Sequence, residues 1–129
     1  MDAVVLDLFG TLVTAPTPRE RTHATSRLAT VIGCDTAVVE RYFRDTWHAR
    51  HDGTLPTVTD LAEHLIRTVN GPTEMVGQVT DELHALGQAR LLPDPSIVHT
   101  LTTLRSRGVR LGILSDASAE IAPPCREAL

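Results

Sequence analysis

The chain has 129 residues, a formal net charge of −4, an ordinary apolar fraction and few aromatic residues. That is the size of one domain, or of a small core carrying an insert. The mild negative charge argues against nucleic acid or an anionic membrane as partner, and no apolar run approaches the ~18 residues of a membrane-spanning helix.

The first element is Val4-Val5-Leu6, an apolar, β-branched run that leads into Asp7 and then into a Gly10-Thr11 turn. Such a run reads as a buried strand. In open parallel sheets ligands gather at the carboxyl ends of strands, which is where Asp7 would stand. Backbone amides around Gly10 and Thr11 could hold an anion beside it, and a bare carboxylate there is a candidate nucleophile. The plainer reading of Asp7 is a turn or cap residue. No basic residue precedes the apolar stretch, so it does not read as a signal peptide, and the chain is expected to be cytoplasmic.

From Leu12 onward the pattern turns helical. Thr17-Pro18-Arg19-Glu20 has the form of a capping box with proline at the first helical position. The helix it opens should run to about Ile32, with Gly33 ending it. Asp35 can cap a second helix, in which Val38, Val39, Tyr42, Phe43 and Trp47 share one face; Trp47 is expected in the core. Asp52-Gly53 signals a turn. Val58, Leu61, Ala62, Leu65, Ile66 and Val69 mark a third helix, stopped by Asn70-Gly71-Pro72. A fourth, about 73 to 88, offers Met75, Val76, Val79, Leu83 and Leu86, with Gly77 as a weak point. Four amphipathic helices joined by short loops can bury their stripes against one another.

Asp94-Pro95 starts a further helix, to about Arg107, with Ile97, Val98, Leu101 and Leu104 inward and Gly108 ending it. The run 109–114 reads as a second strand, ending in Ser115-Asp116-Ala117-Ser118. Strand, crossover and strand make a right-handed parallel unit, which sets Ser115 close to Asp7. The tail, 119–129, looks like the start of a helix disturbed by Pro123-Pro124.

Leu6-Asp7-Leu8-Phe9-Gly10-Thr11-Leu12 resembles the first motif of the haloacid dehalogenase (HAD) superfamily of hydrolases, and the segment 111–118, with its strand-end Ser115, resembles the second. The resemblance implies an α/β fold: a partial HAD-like Rossmannoid core of parallel strands with an inserted α-helical cap. The core would comprise 1–14 and 92–129, and the cap 15–91. It also implies Asp7 and Ser115 as catalytic residues, the first as nucleophile and the second as contact to the transferred group. Phe9, Gly10, Thr11, Asp116 and Arg44 would contact substrate. The residue after the strand-end hydroxyl is often Asn in such relatives; here it is Asp116.

The resemblance reaches only about half of a usual family member. The later motifs, a Lys or Arg and then an acidic pair, have no counterpart: the sequence has no lysine, and Asp116, Glu120 and Glu127 form no such pair. Arg126 lies in a segment unlike the third motif. The sequence therefore reads as truncated, and its unpaired strand edge admits a homo-oligomer or a completing chain.

Family phosphatases carry a second Asp where this chain has Phe9. An alkoxide leaving group wants a proton that Phe9 cannot give, whereas a halide needs none. The expected function is thus hydrolysis of a small organic acid or phosphate ester, as in 2-haloacid dehalogenases or phosphatases. The alternative is a non-catalytic fragment or interaction module. In the phosphatase branch magnesium would bind Asp7 and the Phe9 backbone carbonyl; a dehalogenase would use no cofactor. Without the acidic pair, magnesium binding is expected to be weak or nil. Arg41, Arg44 and Arg50 could reach a substrate carboxylate from the second cap helix, with Arg44 favoured because Phe43 and Trp47 bracket it; the plainer reading is solvated surface. His48 and His51, three apart, lack a completing ligand. His23, His64, His84 and His99 are single. Cys34 and Cys125 stand outside any motif and read as free thiols.

Overall fold

The computed structural model describes residues 3–122, 124 and 125. Strand β1 (Ala3–Leu6) is followed by helices α1 (Pro18–Ile32), α2 (Thr36–Asp45), α3 (Trp47–His51) and α4 (Val58–Thr68). A 3₁₀ turn, Thr73–Met75, leads into α5 (Val76–Arg90), then α6 (Pro95–Ser106) and strand β2 (Arg110–Ile113). The protein is mostly helical, with two short parallel strands among the described residues.

Local chemistry sets the helix limits. Thr17 accepts the Glu20 amide at 3.1 Å at the start of α1, and Gly33 closes that helix in the left-handed region, at φ 86°. Thr57 and Asp60 form a full capping box on α4, so both partners satisfy otherwise open amides. Asp94 accepts the Ser96 amide at 2.7 Å and opens α6 at Pro95.

The helical block has its own core. Leu28 and Ile32 of α1, Val39 and Tyr42 of α2, Leu61 and Leu65 of α4, and Val79 and Leu83 of α5 form one buried cluster. Each fully buried aliphatic side chain there contributes about 1.5–3 kcal/mol. A second, smaller cluster joins Leu8, Leu12 and Val13 to Leu91, Ile121 and Cys125. Cys34 is half-buried and Cys125 buried; both are free, and burial raises both thiol pKa values.

The strands pair in parallel, with Ala3 opposite Arg110 and Leu6 opposite Ile113. One further ladder bond, from the Leu114 amide to the Leu6 carbonyl at 3.0 Å, carries the pairing to the end of β1.

Three expectations need correction. The second helix does not run on through Trp47. It ends at Asp45 and α3 begins at Trp47, with Thr46 between them donating its hydroxyl to the Tyr42 carbonyl at 2.6 Å. Trp47 is accordingly not in the core: it is 48% exposed and stacks on His51, ring centroids 4.5 Å apart. Nor is β1 buried throughout. Its side chains alternate, and Val5 is 67% exposed, with no element covering that face of the sheet among the described residues. Val98 of α6, expected inward, is exposed, while Ile97 and Leu101 pack on the smaller cluster. In the tail, Cys125 donates to the Ile121 carbonyl at 3.0 Å, a helical bond. The rest of the expected tail helix, Pro123 and 126–129, lies outside the described residues.

Candidate active site

The segment after β1 is a tight turn. The Leu8 carbonyl accepts from the amides of Thr11, Leu12 and Val13, and the Gly10 amide donates to the Val13 carbonyl at 2.7 Å. Gly10 sits at φ 79°, a conformation glycine adopts without strain. The amides expected to hold an anion at Gly10 and Thr11 are thus spent on the turn itself, a correction to that expectation.

Asp7 follows the last residue of β1, and Ser115 lies one residue beyond the Leu114 ladder bond. The parallel register therefore sets the two at neighbouring strand ends. Asp7 is exposed and Ser115 half-buried.

A cavity of about 660 Å³ opens between the helical block and the segment after β2. Phe9, Asp116 and Arg44 line it, whereas Asp7, Gly10, Thr11 and Ser115 do not. One side is cationic: Arg21 from α1, Arg44 from α2, Arg50 from α3 and Arg90 from α5. Glu40, Asp116 and Glu120 supply the acids, and Leu28, Phe43, Trp47, Leu86 and Ile121 the apolar wall.

Two groups in this wall are buried with open hydrogen-bonding atoms, Nε of Arg50 and Oε2 of Glu120. Arg50 is otherwise fixed: its Nη2 donates to the Phe43 carbonyl at 2.8 Å, and its guanidinium lies 4.9 Å from the Phe43 ring centroid. Burial lowers the Arg50 pKa, opposed by the charge of Glu120. Burial lowers that of Arg90 too, with Glu120 again opposing it. Arg44, favoured from the sequence, is largely solvated and stands 4.0 Å from the Asp45 carboxylate.

Gly87 brings Glu120 into place. A Cβ on Gly87 would lie 1.9 Å from the Glu120 carbonyl oxygen, so only glycine lets that backbone dock on α5. Arg90, Glu120 and Gly87 went unmarked in the sequence reading of the site. Arg90 in the last turn of a helix reads as a dipole partner, and Glu120 sits in a tail without periodicity.

Among the described residues, no three His, Cys, Asp or Glu side chains converge as metal ligands. A magnesium ion held by Asp7 and the Phe9 carbonyl would draw the rest of its oxygen ligands from water or substrate. His51 Nδ1 is engaged with the Trp47 carbonyl at 2.6 Å. Among the described residues, no helix is long and apolar enough to cross a membrane.

No protein-family model, no curated protein and no solved structure matches this chain.

Proposed function

We propose that the chain is a HAD-like hydrolase with an α-helical cap, acting through Asp7 on a small organic acid or phosphate ester. The core would be 1–14 and 92–129, the cap 15–91. The observation that carries this reading is the parallel register that sets Asp7 and Ser115 at adjacent strand ends, next to segments whose Phe9 and Asp116 line an arginine-rich cavity.

In this mechanism the Asp7 carboxylate attacks carbon or phosphorus, the leaving group departs with its electron pair, and water then hydrolyses the aspartyl ester. Ser115 donates to the transferred group. The arginines hold the substrate's negative charge with charge-assisted hydrogen bonds. Phe9 lines the cavity and has no proton to give, which favours a halide leaving group over an alkoxide.

Halide and phosphate release from 2-haloacids and phosphate esters, with and without magnesium, test the assignment. Asp7→Asn should abolish turnover. Release that survives in Asp7→Asn refutes the role of Asp7.

A second reading, a non-catalytic interaction module, draws support from the uncovered sheet face, where Val5 is 67% and Leu114 75% exposed. Concentration-dependent association without any turnover would favour it.

A further inference from the structure

The cavity holds a buried acid that the hydrolytic mechanism does not use. Glu120 is 2% exposed, and its Oε2 has no hydrogen-bond partner. Arg50 presents a buried Nε, also without a partner. Arg90 lines the same cavity, and among the described residues it makes no hydrogen bond or ion pair. The charge of Glu120 acts on both guanidinium groups. Even so, among the described residues no ion pair joins it to either of them. Buried polar atoms left open are costly, and native proteins pair nearly all of them. An acceptor and a set of donors held open together call for a ligand that carries both complementary groups.

We infer that this cavity binds an organic acid with a hydrogen-bond donor beside its carboxylate, Arg50 and Arg90 taking the carboxylate and Glu120 the donor. The chemical class is the 2-amino and 2-hydroxy acids. A plain carboxylic acid would satisfy the arginines but bring a like charge to Glu120. An amine alone would meet Glu120 and repel the arginines. Phe43, Trp47, Leu28 and Leu86 on the wall select an apolar body. A volume of about 660 Å³ falls within the usual size of small-molecule sites. Binding needs neither Asp7 nor turnover, so the inference stands apart from the proposed function.

Calorimetric titration of the whole chain with four probes tests it: L-phenylalanine, 3-phenyllactate, 3-phenylpropionate and phenethylamine. The two donor-bearing acids should bind about tenfold or more tighter than 3-phenylpropionate, the scale of a hydrogen bond to a charged group. Phenethylamine should not bind. Glu120→Gln should erase most of the preference for phenylalanine, and Asp7→Asn should leave every affinity unchanged. Wild-type protein that binds 3-phenylpropionate equally well, or binds none of the four, overturns the inference without recourse to any variant. A Glu120→Gln protein with a lowered melting temperature but an intact preference also overturns it, since Glu120 would then serve the fold. Selective binding by a chain that releases neither halide from 2-haloacids nor phosphate from phosphate esters would support this inference and sink the hydrolase reading alone.

Discussion

The helical block and the two-stranded sheet solve the same problem with opposite success. In the block, α1, α2, α4 and α5 meet stripe to stripe, and Val39, Leu61, Leu65, Val79 and Leu83 are wholly excluded from water. In the sheet, β1 and β2 have one neighbour each among the described residues, and Val5, Ile113 and Leu114 are exposed. The difference lies in how the two kinds of element close. A helix satisfies its own backbone and needs only a partner for one stripe, whereas a sheet has two faces and two edges to cover. Stability should therefore reside in the helices.

The largest expected effect breaks the well-closed half. Leu65→Ala empties a site at the centre of the block and should cost about 2–5 kcal/mol in chemical denaturation. A loss under about 1 kcal/mol would mean that the block is loosely packed. Gly87→Ala attacks the joint between the two regions. Its new methyl would collide with the Glu120 carbonyl, 1.9 Å away. Overpacking of this kind costs about 1–3 kcal/mol, and here it should lift Glu120 off α5. Helical circular dichroism should survive while binding of 3-phenyllactate is lost; unchanged binding would show that Glu120 does not depend on that contact.

The helical half was also the more legible in the sequence. Pro18 and Gly33 bound α1, and the spacing from Val58 to Ile66 sets the buried face of α4, because those signals are local. The parallel pairing of β1 with β2 followed from the strand patterns and the helical insert between them. What the sequence hid depends on contacts between distant segments. The helix is interrupted at Thr46 and Trp47 is 48% exposed, and the periodicity of the apolar residues foresees neither. The exposure of Val5 depends on how many strands surround it, which an apolar run does not reveal. The cavity's buried acid depends on Gly87, in α5, far along the chain from the first strand and from any motif.

Alkaline pH sharpens the comparison from inside the block. Tyr42 is buried, its hydroxyl lies 2.8 Å from His64 Nδ1, and burial pushes its pKa up to about 12. Between about pH 10 and 12 the unfolded tyrosine loses its proton while the folded one keeps it, so the unfolded state binds fewer protons and stability falls as pH rises. The contribution is whole below pH 10 and is lost through pH 12, by up to about 3 kcal/mol at 1.4 kcal/mol per unit. Tyr42→Phe should flatten the stability profile across that window. An equal slope in both proteins would assign the alkaline loss to other groups.

The smallest effect belongs to the open face, and it separates the two halves most cleanly. Val5→Thr keeps the β-branched shape and the strand propensity, and changes only the polarity of a side chain that is 67% exposed. An exposed substitution of this kind should move stability by no more than about 0.5 kcal/mol. If the sheet face is solvated, the variant denatures at the same midpoint and has the same sedimentation behaviour as wild type at every concentration. If the face is an association surface, the hydroxyl meets a dry neighbour instead. The variant would then lose stability only at concentrations where the wild-type chain self-associates, and the midpoint difference would grow with concentration. That dependence would locate the missing cover of the sheet in a second polypeptide rather than in water.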